Sequence, residues 1–240
     1  MNNSEFEAKV NGLKVVNKVY GDLATAQKIL LFCHGFPGTN RLPGLVPSVC
    51  KDNLAVVEAS YRGDKESEGE FSFLNTIKDI QTTATQIRRI SKATLYGLGY
   101  SMGGFYVLNA IREMPSLFDG IILLCPIADS NELFSNQSLM KEYWSLAKEI
   151  LTLKPKPFYY EEIKEINRNY NPINFASLLK TSLYVVQSTE DDVISFQTVK
   201  NFYDTLYCGK EFIEIPGLNH FPKGDEKQLI NLPFFKPDVI

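Results

Sequence analysis

Short, nearly continuous apolar runs alternate along the chain with longer amphipathic stretches. Residues 29–33, 54–58, 93–96, 121–125 and 183–186 are such runs, each bounded by turn-forming residues. Runs of this kind suit strands buried on both faces, where helices cover the two sides of a parallel sheet. Residues 73–90, 102–113 and 195–206 are amphipathic and long enough to be the crossover helices. The pattern predicts an α/β sandwich with a mostly parallel central sheet.

Both ends of the pattern differ from its middle. Residues 6–10 and 13–20 flank Asn11-Gly12, a pair suited to the φ > 0 turn of an N-terminal β-hairpin. Residues 211–215 form a last strand candidate, closed by Pro216-Gly217. From 128 to 175 the rhythm breaks. Two aromatic-rich helical patterns, 139–151 and 159–170, lie on either side of Lys154-Pro155-Lys156-Pro157, with no strand between them. This segment is expected to be a small helical cap inserted into the core, dividing the chain into 1–127, 128–175 and 176–240.

Composition narrows the class. The chain has 240 residues, 44% of them hydrophobic, enough for one domain with a sizeable core. With 25 basic and 28 acidic residues and no basic block, nucleic acid is not an expected partner. The longest apolar runs, 28–33 and 120–126, fall far short of the ~20 residues that cross a bilayer, so no membrane partner is expected. Met1-Asn2-Asn3-Ser4-Glu5 lacks the charge and apolar core of a secretory leader. Cys33, Cys50, Cys125 and Cys208 are spaced for neither a redox pair nor a zinc knuckle and read as reduced thiols. A cytoplasmic protein is expected.

The chemistry concentrates at a few turns. Gly99-Tyr100-Ser101-Met102-Gly103-Gly104 joins a predicted strand to a predicted helix. A serine on so tight a turn needs small residues two before and two after it, and the helix behind it points free N–H groups at the reacting oxygen. The bland alternative for Ser101 is a helix-capping hydroxyl. A serine nucleophile requires a histidine base and an orienting carboxylate. Of the two histidines, His34 lies in His34-Gly35-Phe36-Pro37-Gly38 and reads as loop scaffold, while His220 follows the last strand and reads as the base. The acid should follow the strand at 183–186, where Glu190, Asp191 and Asp192 stand in a row; Asp129 is a more distant candidate. Backbone N–H groups of Phe36 and Met102 are the expected oxyanion donors. The histidine spacing offers no metal motif.

Taken in order, these residues resemble the α/β-hydrolase superfamily, over about residues 6–235. The carrying features are His34 to Gly38, Tyr61-Arg62-Gly63 with the following Glu66 to Phe71, the elbow Gly99 to Gly103, the acid turn and Gly217 to Phe221. The stretch from Arg62 to Phe71 looks like that of the compact carboxylesterase and serine-peptidase-like branch, which includes cinnamoyl esterases. The resemblance implies a Gly-x-x-Asp-x-x-Val-Pro acid turn, which sets Asp191 as the acid, with Ser188, Ile194 and Ser195 at the glycine, valine and proline; Asp192 is the alternative. Tyr100 stands where many members have histidine.

The expected activity is that of a serine carboxylesterase acting on small to medium or aromatic acyl esters through a Ser101–His220–Asp191 triad and an acyl-enzyme, without a cofactor. The enzymatic rivals are a peptidase acting on short peptides, a thioesterase and an acyltransferase, and the non-enzymatic rival is an inactive hydrolase-like binding protein. The expected partner is a small-molecule ester, and a homodimer is compatible with the sequence. Phe134, Tyr143, Trp144, Phe158, Tyr159 and Tyr160 in the cap are candidates to line the acyl pocket, with packing of the cap onto the core as the competing role.

Overall fold

Successive residues of Lys28–Cys33 point to opposite faces of a sheet, and both faces are buried: Ile29, Leu31 and Cys33 enter one apolar cluster, Leu30 and Phe32 the other. A computed structural model describes residues 3–38, 45–50, 53–64, 66–221 and 229. The end of the predicted core beyond Phe221, Leu229 apart, lies outside the described residues. The strands are β1 (Asn3–Val10), β2 (Leu13–Tyr20), β3 (Lys28–Cys33), β4 (Leu54–Glu58), β5 (Thr94–Tyr100), β6 (Gly120–Leu124), β7 (Leu183–Ser188) and β8 (Lys210–Ile215). They form one sheet in the order β1-β2-β4-β3-β5-β6-β7-β8. The β1–β2 hairpin and its pairing with β4 are antiparallel, and every other pairing is parallel. Asn11 and Gly12 turn the hairpin at φ 51° and 85°.

Helices α2 (Phe73–Ile90), α3 (Met102–Glu113) and α7 (Phe196–Thr205) bury their apolar stripes in the larger cluster, while α1 (Leu45–Val49) packs in the smaller one. Among the described residues no helix is long and apolar enough to cross a membrane. The four cysteines are free.

Residues 128–175 add no strand to the sheet. They form α4 (Ser130–Ser135), α5 (Gln137–Ile150) and α6 (Lys156–Glu165), followed by a turn of π-helix and a short 3₁₀ turn. Their attachment to the core is polar as well as apolar. The buried Glu162 carboxylate of α6 accepts the Ser72 hydroxyl and the Phe73 and Leu74 N–H groups at 3.2 and 3.1 Å. It thereby caps the N-terminus of α2 together with Ser72, whose Oγ accepts the Asn75 N–H at 3.1 Å.

The Tyr61-Arg62-Gly63 stretch braces the β3 loop. The Tyr61 hydroxyl donates to the His34 carbonyl at 2.9 Å, and Arg62 Nε meets the buried Asp79 carboxylate of α2 at 2.6 Å. Gly63, at φ 87°, lies so close to Phe71 that a Cβ would stand 2.3 Å from its nitrogen.

Candidate active site

All the singled-out polar residues gather at one edge of the sheet because each follows the carboxyl end of a parallel strand: His34 after β3, Ser101 after β5, Asp191 after β7, His220 after β8. This is where ligands bind in open α/β sheets. Strand β5 runs four residues further than its apolar pattern predicts, ending against Ser101 itself.

Ser101 sits at φ 56°, ψ −122°, a strained backbone for a residue with a side chain. Its hydroxyl makes no capping bond to α3, which removes the bland reading. Three contacts hold the turn: Ser101 N–H donates to Leu124, while its carbonyl accepts from Gly104 and Ile127, all at 3.0 Å. The surrounding glycines are sterically required. A Cβ on Gly103 would lie 1.9 Å from the Cys33 carbonyl oxygen, and one on Gly99 would lie 2.6 Å from Gly104 Cα.

A continuous hydrogen-bond relay runs from this serine. Ser101 Oγ is 2.9 Å from His220 Nε2, and His220 Nδ1 is 2.8 Å from Asp191 Oδ2. His220 and the Asp191 side chain are completely buried, and Ser101 is 6% exposed. Asp191 Oδ1 accepts the Ile194 and Val193 N–H groups at 2.7 and 2.9 Å, and Oδ2 accepts Gln187 Nε2 at 3.2 Å. Burial alone would raise the pKa of this carboxyl, but the His220 bond and charge and the two amides together hold it below the usual carboxylate value.

The neighbouring acids do different work. Asp192 Oδ1 accepts the backbone N–H of His220 at 3.0 Å, so it holds the histidine loop and not the ring. Glu190 is exposed. Asp129 caps α4, accepting Asn131 N–H at 2.9 Å. The serines at the departures from the family pattern also have work. Ser188 Oγ donates to the Leu218 carbonyl, tying the acid turn to the histidine loop. Ser195 Oγ caps α7 by accepting Thr198 N–H at 3.4 Å.

His34 is buried in the loop that follows β3. Its Nδ1 is 3.0 Å from the carbonyl oxygen of Gly35, and its ring lies 4.4 Å from that of Tyr61. Burial would lower its pKa, but Asp64, the Gly35 carbonyl and Glu58 together raise it. Its loop crosses directly beside Ser101: a Cβ on Gly35 would lie 3.0 Å from Ser101 Cβ and 3.2 Å from Met102 N. Met102 opens α3, so its N–H has no partner within the helix. The Phe36 ring is clamped between Phe71, Phe73 and Trp144 at 5.4, 5.0 and 5.0 Å.

The six cap aromatics divide. Tyr143 and Trp144 approach Phe36, Phe134 packs on Phe73, and Tyr159 meets Trp144 at 4.7 Å. Tyr159 is also mortar, donating to the Phe71 carbonyl at 2.9 Å. Phe158 and Tyr160 are not brought to this cluster. They flank the inward Tyr159 on α6, are 36% and 54% exposed, and carry Lys154 and Lys156 over their rings. Their expected place in a pocket is corrected on this ground, since one helix cannot aim three consecutive side chains at one face.

Residue patterns gave no warning of Tyr100, Gln187 or Cys125. The Tyr100 hydroxyl donates to the His220 carbonyl at 2.5 Å, with its ring stacked 5.5 Å from the imidazole. Among the described residues, Cys125, Asp191 and His220 are a grouping able to ligate a metal, their donor atoms lying within 4.8 Å of one another. A cation there would have to break the Asp191–His220 hydrogen bond.

Residues 24–170 match the Hydrolase_4 family model, described as serine aminopeptidase, S33. The chain belongs to this family of α/β hydrolases and is a hydrolase by fold and family. No curated protein matches it in sequence. Solved structures resemble it along its whole length. Est1E from Butyrivibrio proteoclasticus, bound to ferulic acid, has a TM-score of 0.70 at 15% identity, covering 93% of this chain and 94% of that one. DcsB, in complex with its substrate analogue, has a TM-score of 0.77 at 14% identity over 100% of both chains. The esterase EaEST from Exiguobacterium antarcticum has a TM-score of 0.71 at 14% identity, covering 95% and 96%.

Proposed function

We propose that the protein is a serine carboxylesterase that hydrolyses small to medium or aromatic acyl esters through an acyl-enzyme. The observation carrying this reading is the relay of Ser101, His220 and Asp191, with hydrogen bonds of 2.9 and 2.8 Å at its two links. In the proposed cycle His220 Nε2 takes the proton of Ser101 as Oγ attacks the ester carbonyl. The N–H groups of Phe36 and Met102 face the oxyanion. The imidazolium, held by Asp191, then gives its proton to the departing alkoxide. Water repeats the sequence on the acyl-enzyme and restores Ser101.

The aromatic cluster of Phe134, Tyr143, Trp144 and Tyr159 around Phe36 favours an acyl group of modest size or aromatic character. The ferulic acid bound to Est1E, a protein of the same fold, agrees with that preference. The family description favours one second reading, cleavage of short aminoacyl peptides. Hydrolysis of acetyl to octanoyl esters, cinnamoyl esters and aminoacyl amides by wild type and Ser101→Ala separates the two. Ser101-dependent ester turnover with selectivity for one acyl class is expected. Ser101-dependent amide cleavage with little ester selectivity would replace the esterase with the peptidase.

A further inference from the structure

Buried carboxylates are normally paired with a cation, because an isolated charge is costly to take out of water. Glu58, the last residue of β4, is 8% exposed and forms no ion pair among the described residues. Its Oε2 accepts the Tyr20 hydroxyl at 3.1 Å, and its Oε1 has no hydrogen bond. The side chain borders a cavity of about 270 Å³ whose wall includes none of Ser101, Asp191 and His220.

Two more polar atoms in the same wall are left over. Asp64 Oδ2 accepts the Tyr61 N–H at 2.7 Å, while Oδ1 has no hydrogen bond. His34, 5% exposed, engages the Gly35 carbonyl through Nδ1, and its Nε2 stands 3.8 Å from Asp64 Oδ2, too far for a hydrogen bond. The fully enclosed unpartnered atoms of the described residues lie elsewhere, so Glu58 Oε1, Asp64 Oδ1 and His34 Nε2 are all accessible from the space their residues enclose.

The charge of the wall selects the ligand. Glu58, Asp64 and the exposed Glu66 oppose Lys18 alone, or Lys18 with His34 when the ring is protonated, so the wall is net negative in either state. Lys18 faces Glu58 across the β2–β4 pairing, but it is exposed and makes no ion pair with it. The acids and the imidazole are too far apart to ligate one metal ion; among the described residues the grouping that close is Cys125, Asp191 and His220. A primary ammonium, with three N–H donors at the end of an apolar stem, suits the wider spacing. Ile150 and Leu151, where α5 ends, give the cavity an apolar side for such a stem.

We infer that this cavity binds a primary ammonium group on a short aliphatic stem, the ammonium between Glu58 and Asp64 and the stem against Ile150 and Leu151. The site does not depend on the esterase reading. It is nevertheless next to the proposed chemistry, since His34 is in its wall and the adjoining Gly35 abuts Ser101. The ammonium therefore has two sources, the alcohol part of a substrate or a free amine.

The test is an NMR titration of the isotope-labelled protein at low ionic strength with butylammonium, and with 1-butanol and butyrate as the neutral and anionic counterparts, followed at the amides of Ser60 and Asp64. Wild type should bind butylammonium with a Kd of about 1 mM or tighter and neither counterpart measurably. Glu58→Gln keeps an acceptor for Tyr20 and Asp64→Asn one for Tyr61, and melting curves check that each folds. Each should weaken butylammonium about tenfold or more. No binding to wild type, equal binding of 1-butanol, or an unchanged Kd in whichever variant folds would overturn the inference. Steady-state kinetics on a 4-aminobutyl ester and the n-pentyl ester of the same acid then assign the source. A higher kcat/KM for the amino ester, lost in Glu58→Gln, assigns the ammonium to the substrate, and equal values beside intact butylammonium binding assign it to a free amine. Binding is read without turnover, so an inactive protein that still binds butylammonium removes the esterase and leaves the cavity site standing.

Discussion

Two adjacent aspartates hold the same histidine in different ways. Asp191 takes the ring and Asp192 the backbone N–H. Asp191→Asn should therefore lower kcat on the order of 10⁴-fold, since an amide neither fixes the tautomer nor stabilises the imidazolium. Asp192→Asn should cost less than about tenfold, and steady-state kinetics on both variants checks the ranking. The sequence row Glu190-Asp191-Asp192 does not distinguish these roles, because only the folded β8 loop decides which carboxylate meets Nδ1. The family register is what selects Asp191. Gln187 is illegible for the same reason, because only the folded acid turn brings Asp191 back against its side chain four residues earlier on β7.

Acid stability follows from the same carboxyl. A folded-state pKa held below the unfolded value of about 3.9 contributes stability that is complete above that value and is lost as pH falls through the folded one. The stability gap between wild type and Asp191→Asn should thus shrink below about pH 4. The fluorescence of Trp144, the single tryptophan, reports the unfolding.

At the level of elements, the turns are the most legible parts of the chain. Gly99, Gly103 and Gly104 around Ser101 announce a strand-to-helix turn because β3, β5 and α3 approach too closely for any side chain. Gly103→Ala should destabilise by about 3 kcal/mol or more, with activity lost, as measured by denaturant unfolding and ester assay. The cap is less legible. Its aromatic content marks the segment, but the phase of α6 decides that Tyr159 turns inward while Phe158 and Tyr160 face water. Glu162 is the cap's polar anchor, a role invisible without the fold because its partners at Ser72, Phe73 and Leu74 lie far away in sequence. Glu162→Ala should lower stability by about 1–3 kcal/mol. It should also raise KM for bulky acyl esters more than it lowers kcat, in melting and steady-state experiments.

Across the whole molecule, the parallel sheet turns distant stretches of sequence into one site. Buried apolar runs reveal the strands but not their order; that β4 lies between β2 and β3 depends on pairing energies no local pattern contains. The motif Tyr61-Arg62-Gly63 serves this assembly and not the chemistry. Tyr61 fixes the His34 loop, and Arg62 is buried against Asp79. Asp79→Asn should cost about 3–5 kcal/mol by leaving the guanidinium buried without its charge partner. The unfolding midpoint measures this loss. Substrate preference among folded molecules should remain unchanged.

The account's central claim is that Ser101 carries the acyl group. Intact-protein and peptide mass spectrometry after brief exposure to a slowly turned-over aromatic ester tests it directly. The expected result is a single acyl adduct on the peptide containing Ser101, absent in Ser101→Ala and formed far more slowly in His220→Ala. Turnover of the ester with no adduct on Ser101, or with the acyl group on another residue, would contradict it.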